Sequence, residues 1–206
     1  AETTARRGAL TVIPQDIPAE IVRDVIAWQK SRHLVYDTPI TLTPGTTVGE
    51  ALVLLHKRAH GAALVTDGDR PVGIVTETDL TGVDRFTQLE DVMVRDMVSL
   101  PDGVDVESAF DTLSHARRRL APVVTPDGRL VGILTRSGAL RAHLYAPATD
   151  DTGRLRIAAA VGINGDVAAK AADLLDAGAD TLVIDTAHGH QEKMIEALRA
   201  VRALDP

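Results

Sequence analysis

One strand-and-turn is written twice in this chain, as Gly73-Ile-Val-Thr-Glu-Thr-Asp-Leu80 and again as Gly132-Ile-Leu-Thr-Arg-Ser-Gly-Ala-Leu140. An offset of 59 residues places Thr76 on Thr135 and residues 61–66 on 120–125, whereas residues 48–51 meet 106–109 at an offset of 58. A repeat of this length constrains the fold more than any single motif, because one short unit buries little core and two copies must pack together. The copies differ at one polar position. The first keeps a hydroxyl and a carboxylate three residues apart, Thr76 and Asp79; the second keeps Thr135 but carries Gly138 where the carboxylate would fall. Two similar pockets with unequal chemistry are expected.

Each copy follows the same grammar. An extended lead-in ends in a Pro/Gly turn, and a helix follows. Thr47-Val-Gly-Glu50 has capping-box spacing, and Asp105 is the expected cap of the second copy. Val48, Ala51, Leu52 and Leu55, like Val106, Ala109, Phe110 and Leu113, recur at helical spacing and predict one buried face each. A strand, a turn, a second strand and a second helix complete a β-α-β-β-α unit.

The flanks are written differently. Residues 9–13, 155–161 and 181–185 predict strands whose near-continuous apolar character suits parallel strands buried on both faces. Helices are expected at 18–32, 165–177 and 190–204, the middle one closing at Ala177-Gly178 with a glycine cap. Residues 145–153 read as a linker. Strand alternating with helix means α/β, so one α/β domain is interrupted by the tandem repeat. The expected divisions are 1–36, 37–90, 91–147 and 148–206. The chain does not open on Met, and it reads as a fragment.

Composition limits the function classes. Net charge is −7, which argues against a broad nucleic-acid footprint. Arg117, Arg118 and Arg119 form the only compact basic run, which could reach a polyphosphate but reads first as a solvated helix end. Aromatics are 2% of residues, so the core is aliphatic, and Trp28 is expected to pack. There is no cysteine, hence no disulfide, thiolate metal site or thiol nucleophile within these residues. No stretch reaches the roughly 18 apolar residues of a membrane span and no secretory signal is visible, so a cytoplasmic location is the expectation.

Residues 73–79 with their upstream helix and strands resemble a CBS motif, and the tandem pair resembles a Bateman module, degenerate at Gly138. Three flanking stretches, Gly8-Ala-Leu-Thr-Val-Ile-Pro-Gln-Asp-Ile17, Ile157-Ala-Ala-Ala-Val-Gly162 and Val183-Ile-Asp-Thr-Ala-His-Gly-His190, resemble the IMP dehydrogenase/GMP reductase family. The Pro14-Gln15-Asp16-Ile17-Pro18 variant is closest to actinobacterial IMP-dehydrogenase-related proteins, a branch associated with GMP reductase activity. The resemblance implies a (β/α)8 (TIM) barrel, only partial here, interrupted by a CBS pair. It implies hydride transfer between NADP or NAD and the purine C2 position, purine nucleotides as substrate and regulatory ligands, and homo-oligomers in which tetramers pair to octamers. The catalytic cysteine loop and mobile flap have no counterpart in these residues, so no catalytic residue is assigned and the chain alone should be inactive.

A Thr at a strand end facing a helix start can donate to a phosphate beside free amides, and a carboxylate one turn on can accept ribose hydroxyls. Thr76 and Asp79 fit that chemistry, and the family pattern agrees; the plainer reading is a capping threonine and a first-turn aspartate. Gly61, Ala62 and Ala63 would let a base lie against backbone, or are simply packing. Thr135 is retained in the second pocket, which is open to weak binding, a different nucleotide or a structural role. In a parallel barrel, groups just past the strand C-termini line the site; by resemblance Asp185 contacts the nicotinamide ribose, with Thr186, Ala187 and His188 lining the cleft. His188, His190 and Asp185 lack a fourth ligand, so no metal is expected. His56, His60 and His115 read as helix-surface residues. The competing function is a non-enzymatic adaptor built on a nucleotide-binding CBS pair.

Overall fold

The computed structural model describes residues 1–56 and 61–204. In chain order the first half runs α1 (Glu2–Ala5), β1 (Val12–Ile13), α2 (Ala19–Lys30), β2 (Thr41–Leu42), α3 (Val48–Leu55), β3 (Ala62–Asp67), β4 (Arg70–Thr76), α4 (Glu77–Leu80) and α5 (Leu89–Val92). The second half runs β5 (Leu100–Pro101), α6 (Val106–His115), β6 (Leu120–Val124), β7 (Leu130–Thr135), α7 (Arg136–Leu144), β8 (Ala158–Gly162), α8 (Val167–Asp176), β9 (Thr181–Asp185) and α9 (Glu192–Arg202). Two compact units result: Val35–His143, and Ala1–Leu34 together with Leu144–Pro206.

The first of these units holds the repeat. Its two three-stranded sheets have the same order, β2-β3-β4 and β5-β6-β7, each with a parallel pair followed by an antiparallel one. Both caps form as their spacing predicts. The Glu50 carboxylate accepts from the Thr47 amide at 2.9 Å, and Asp105 accepts from the Ser108 amide at 3.0 Å. Val48, Ala51 and Leu55 pack on Val65 and Val75 in one core; Ala109 and Leu113 pack on Ala121, Val123 and Leu134 in the other. Burial of this kind is the main stabilising term for a core so poor in aromatics.

Each sheet is completed by a segment that precedes the other repeat. Val94 and Ile74 exchange amide–carbonyl bonds at 2.9 and 3.0 Å, and Asp37 and Ile133 do so at 2.8 and 3.0 Å. The side chains before these bridges lie over glycines. A Cβ on Gly73 would strike Met93, and a Cβ on Gly132 would stand 2.8 Å from that of Tyr36. Tyr36, at the end of the first flank by sequence, belongs to the second repeat's core. Its hydroxyl accepts from the Gly103 amide at 2.8 Å, and burial holds its pKa above the usual phenol value.

In the other unit the sheet is parallel, ordered β1-β8-β9, with Ile13 beside Ala159 and Val161 beside Ile184. Val22 and Ile26 of α2 pack with Ile13, Ile157 and Ala159; α8 and α9 give Val167, Ala171, Ala197 and Val201 to a cluster around Val161. Among the described residues β1 and β9 each have one strand neighbour, so this is an open sheet and not a closed barrel. Three expectations are corrected. The first strand is two residues long, not five. Burial of β9 alternates, with Val183 38% exposed, so the strand is not covered on both faces. Trp28 is 42% exposed with the Arg32 guanidinium over its ring, because it falls on the side of α2 away from Val22 and Ile26.

Residues 145–153 are also more than a linker. Asp150 accepts from the Thr152 hydroxyl at 2.7 Å and the Arg154 amide at 2.9 Å. Lys30, its side chain 8% exposed, lies 2.9 Å from Asp150 and 2.6 Å from Asp180. Asp180 also accepts from the Ile157 amide at 2.7 Å. Burial alone raises the Asp150 pKa, but hydrogen bonds from Lys30, the Arg154 amide and Thr152, with the Lys30 charge, outweigh it and hold the carboxyl well below the usual range. A depressed carboxylate pKa contributes stability above the unfolded value, about 3.9, and loses it as pH falls through the folded value. Lys30→Met should cost about 3 kcal/mol in urea unfolding at pH 7. That penalty should shrink steadily below about pH 4 as the stranded Asp150 carboxylate protonates; an equal penalty at pH 7 and pH 3 would contradict the assignment.

Candidate functional site

Within the repeat unit a cavity of about 470 Å³ opens at the end of β4. Thr76 leaves the strand with extended geometry and caps α4, a single turn. Its hydroxyl donates to Asp79 Oδ2 at 2.7 Å and its amide reaches the same oxygen at 2.8 Å. Asp79 Oδ1 takes no hydrogen bond from any described residue. The capping reading of this pair is realised, and the box fixes a carboxylate that lines the cavity together with Thr76. Gly61 and Ala62 lie in the same wall; Ala63 is instead buried in the core.

The second repeat contributes to the same lining. Arg117, Arg118 and Arg119 are exposed just past the end of α6, as the solvated-end reading expects, and they also line the cavity. Helix α6 stops in a double hydrogen-bonded cap: the Arg117 amide donates to Ser114 at 3.1 Å and the Arg118 amide to Leu113 at 2.9 Å. That cap needs a left-handed residue, and here it is Arg117, with φ of 52°. Glycine would fit without strain. Three carboxylates, Glu77, Asp79 and Asp96, share the lining with the three arginines, giving a cavity lined by both signs of charge.

The second repeat's counterpart is different. The Thr135 hydroxyl accepts from the Gly138 amide at 2.8 Å, keeping the cap without the carboxylate. His56 and His115 sit exposed at helix ends, as expected; His60 lies outside the described residues.

In the parallel-sheet unit, Asp185 stands exposed at the last position of β9, opposite Gly162 at the end of β8. Gln15, just past β1, donates to Asp185 at 3.0 Å. Its amide oxygen occupies the place where a Cβ on Gly162 would lie. Three neighbouring strand ends thus meet at one polar contact. The following loop is tied down by Gln191, which donates to Thr186 Oγ1 at 2.6 Å and to the His188 carbonyl at 2.9 Å. Ala187, His188 and His190 are exposed on that loop. Sequence reasoning missed Gln15 and Gln191; for Gln15 the signal was its place directly after a parallel strand, on the same sheet end as Asp185. No group of three or more His, Cys, Asp or Glu side chains suited to a metal ion exists among the described residues, and no described helix is long and apolar enough to cross a membrane.

An α/β chain with polar groups gathered at parallel strand ends, and a tandem repeat enclosing a charged cavity, defines the class. The IMP dehydrogenase / GMP reductase domain matches residues 1–205, and the chain belongs to that family. GMP reductase of Mycobacterium tuberculosis is 54% identical over 205 residues, which is 100% of this chain and 43% of that protein. Inosine-5'-monophosphate dehydrogenase of Thermoplasma acidophilum is 33% identical over 201 residues, 96% of this chain and 41% of that one. The chain therefore spans less than half the length of these relatives. Among solved structures, GMP reductase of Trypanosoma brucei in complex with guanosine 5'-triphosphate aligns with a TM-score of 0.68 at 26% identity, covering 98% of this chain and 51% of that one. A cysteine-to-alanine variant of that enzyme in complex with guanosine 5'-monophosphate gives 0.66 at 27%, covering 97% and 44%.

The left-handed arginine generates a test. Arg117→Gly should stabilise the repeat unit by about 1 kcal/mol, the cost of a Cβ in that conformation, read as a rise in urea midpoint at unchanged slope. A lower midpoint would mean that the side chain, not the backbone, decides stability there.

Proposed function

We propose that this chain is part of a purine nucleotide oxidoreductase of the GMP reductase type and that its repeat unit is a CBS pair sensing purine nucleotides. The cavity lined by Thr76 and Asp79 from one repeat and by Arg117, Arg118 and Arg119 from the other carries the reading. A nucleotide needs an acceptor for ribose hydroxyls and cations for phosphate; Asp79 and the arginines would supply them from the two repeats. Gly61 and Ala62 leave room for a flat base against backbone. The bound nucleotide would shift the whole protein between two states by its unequal affinity for them. The identity to a GMP reductase over the full chain favours that activity over dehydrogenation of IMP.

In the complete protein NADPH or NADH would supply hydride to the purine C2 position, releasing ammonia from GMP and leaving IMP. This chain's part in that step is binding and orientation. Asp185 would accept from the nicotinamide ribose, Gln15 would hold its carboxylate in place, and Gln191 would set the loop bearing Thr186, Ala187 and His188. The open sheet would complete a partial (β/α)8 barrel, with Val183 and its neighbours covered by further elements. Divisions at 1–36, 37–90, 91–147 and 148–206, and assembly into tetramers pairing to octamers, belong to the same reading.

Calorimetric titration of the chain with ATP, GTP and their monophosphates is the test. At least one triphosphate should bind saturably below millimolar concentration, and Asp79→Ala should weaken it about tenfold, the loss of roughly one charge-assisted hydrogen bond. Replacing Arg118 and Arg119 by Ser should remove the preference for triphosphate. No saturable binding of any of the four nucleotides would reject the sensor. For the longer protein, NADPH oxidation dependent on GMP is expected; nucleotide binding without turnover would favour the adaptor.

A further inference from the structure

The two clefts of the repeat unit are not a strong and a weak version of one site. Three positions have changed together between them. Asp79 in the first repeat corresponds to Gly138, and Gly82 corresponds to Arg141, both at the 59-residue offset. Val94, which bridges to Ile74, corresponds by that bridge to Asp37, which bridges to Ile133. In the first cleft the entering segment thus brings an apolar side chain at the bridge position and Asp96 two residues on, the helix start brings Asp79, and the cavity is open. In the second cleft the helix start has lost its carboxylate, the bridge position carries Asp37, and Arg141 has arrived beside it.

The geometry shows where these replacements go. A Cβ built on Gly138 would stand 3.5 Å from Asp37 Oδ2 and 3.5 Å from an Arg141 terminal nitrogen, with Thr135 Oγ1 at 2.8 Å. The space that an aspartate at 138 would use is therefore filled by two side chains from elsewhere. Arg141 lies 3.5 Å from Asp37 Oδ1, and the side chains are 11% and 5% exposed. Arg141 also donates to the Val35 carbonyl at 3.4 Å. Asp37 has little freedom to leave, because its own amide and carbonyl are both paired with Ile133. A buried pair held from both sides is costly to break, and nucleotide entry would have to break it.

We infer that Asp37 and Arg141 close the second cleft from within, so that the chain takes one nucleotide and takes it only in the Thr76–Asp79 cleft. This rests on the reading of that first cleft as a nucleotide site. It makes the pair a determinant of occupancy: Gly138 is small because the carboxylate has moved to Asp37, and Arg141 neutralises that charge where a ligand would otherwise enter.

Stoichiometry tests the inference without any variant. Titrating the full chain with ATP and with GTP, separately and then together, should give one equivalent in total, the second nucleotide competing with the first. In Asp79→Ala, saturable binding should fall at least tenfold with no residual tight equivalent. Two equivalents in the wild-type chain, or one equivalent surviving Asp79→Ala and lost in Thr135→Ala, would overturn the closed cleft while leaving the sensor intact. No binding of either nucleotide to the wild-type chain would overturn both.

Discussion

The crossed pairing of the repeat unit is the constraint on which its other features depend. The segment before each repeat adds its bridge to the other repeat's sheet, at Val94–Ile74 and at Asp37–Ile133. Neither repeat can bury its sheet alone, because part of each core belongs to the segment that the other one leads in: Met93 in one, Tyr36 in the other. The glycines at 73 and 132 follow directly. Any side chain there would meet Met93 or Tyr36, and at Gly132 the nearest atoms are a Cβ and a backbone oxygen, which yield little. Overpacking of that kind typically costs about 1–3 kcal/mol.

Crossing also decides what each cleft contains. Because the entering segment crosses over, its second residue lands beside the other repeat's strand end and helix start. Valine there leaves a cavity of about 470 Å³ that the arginines of the second repeat can rim. Aspartate there, with Arg141, fills the equivalent space. One topological device thus produces an open cleft and a closed one from nearly the same residues. The strain at Arg117 is local to the end of α6. The chain must turn sharply out of α6 to bring three guanidinium groups to the open cleft, and it does so with an arginine in a conformation suited to glycine.

Much of the scaffold was legible in the sequence, and the reasons are local. The helix caps at Thr47 and Asp105 are written as spaced polar residues, and the strand–turn–strand units as repeated apolar runs. What was not legible is tertiary. Nothing local distinguishes Val94 from Asp37 as cleft residues, since their partners are distant in sequence. The arginine run gives no sign that it borders the other repeat's carboxylate. Trp28 looked like core because large aromatics usually are; its place on the helix circumference, opposite Val22 and Ile26, decided otherwise. In the parallel-sheet unit, Asp185 was singled out by its place at a strand end, which the structure shows. Gln15, which holds it, required knowing that β1 and β9 flank the same β8.

The central claim is that one ligand is gripped from both repeats at once. Hydrogen exchange with and without saturating ATP or GTP measures this most directly. The account predicts slowed exchange together at the amides of residues 76–79 and 117–120, with those of 135–138 unchanged. Protection confined to one rim, or appearing at 135–138, would contradict it.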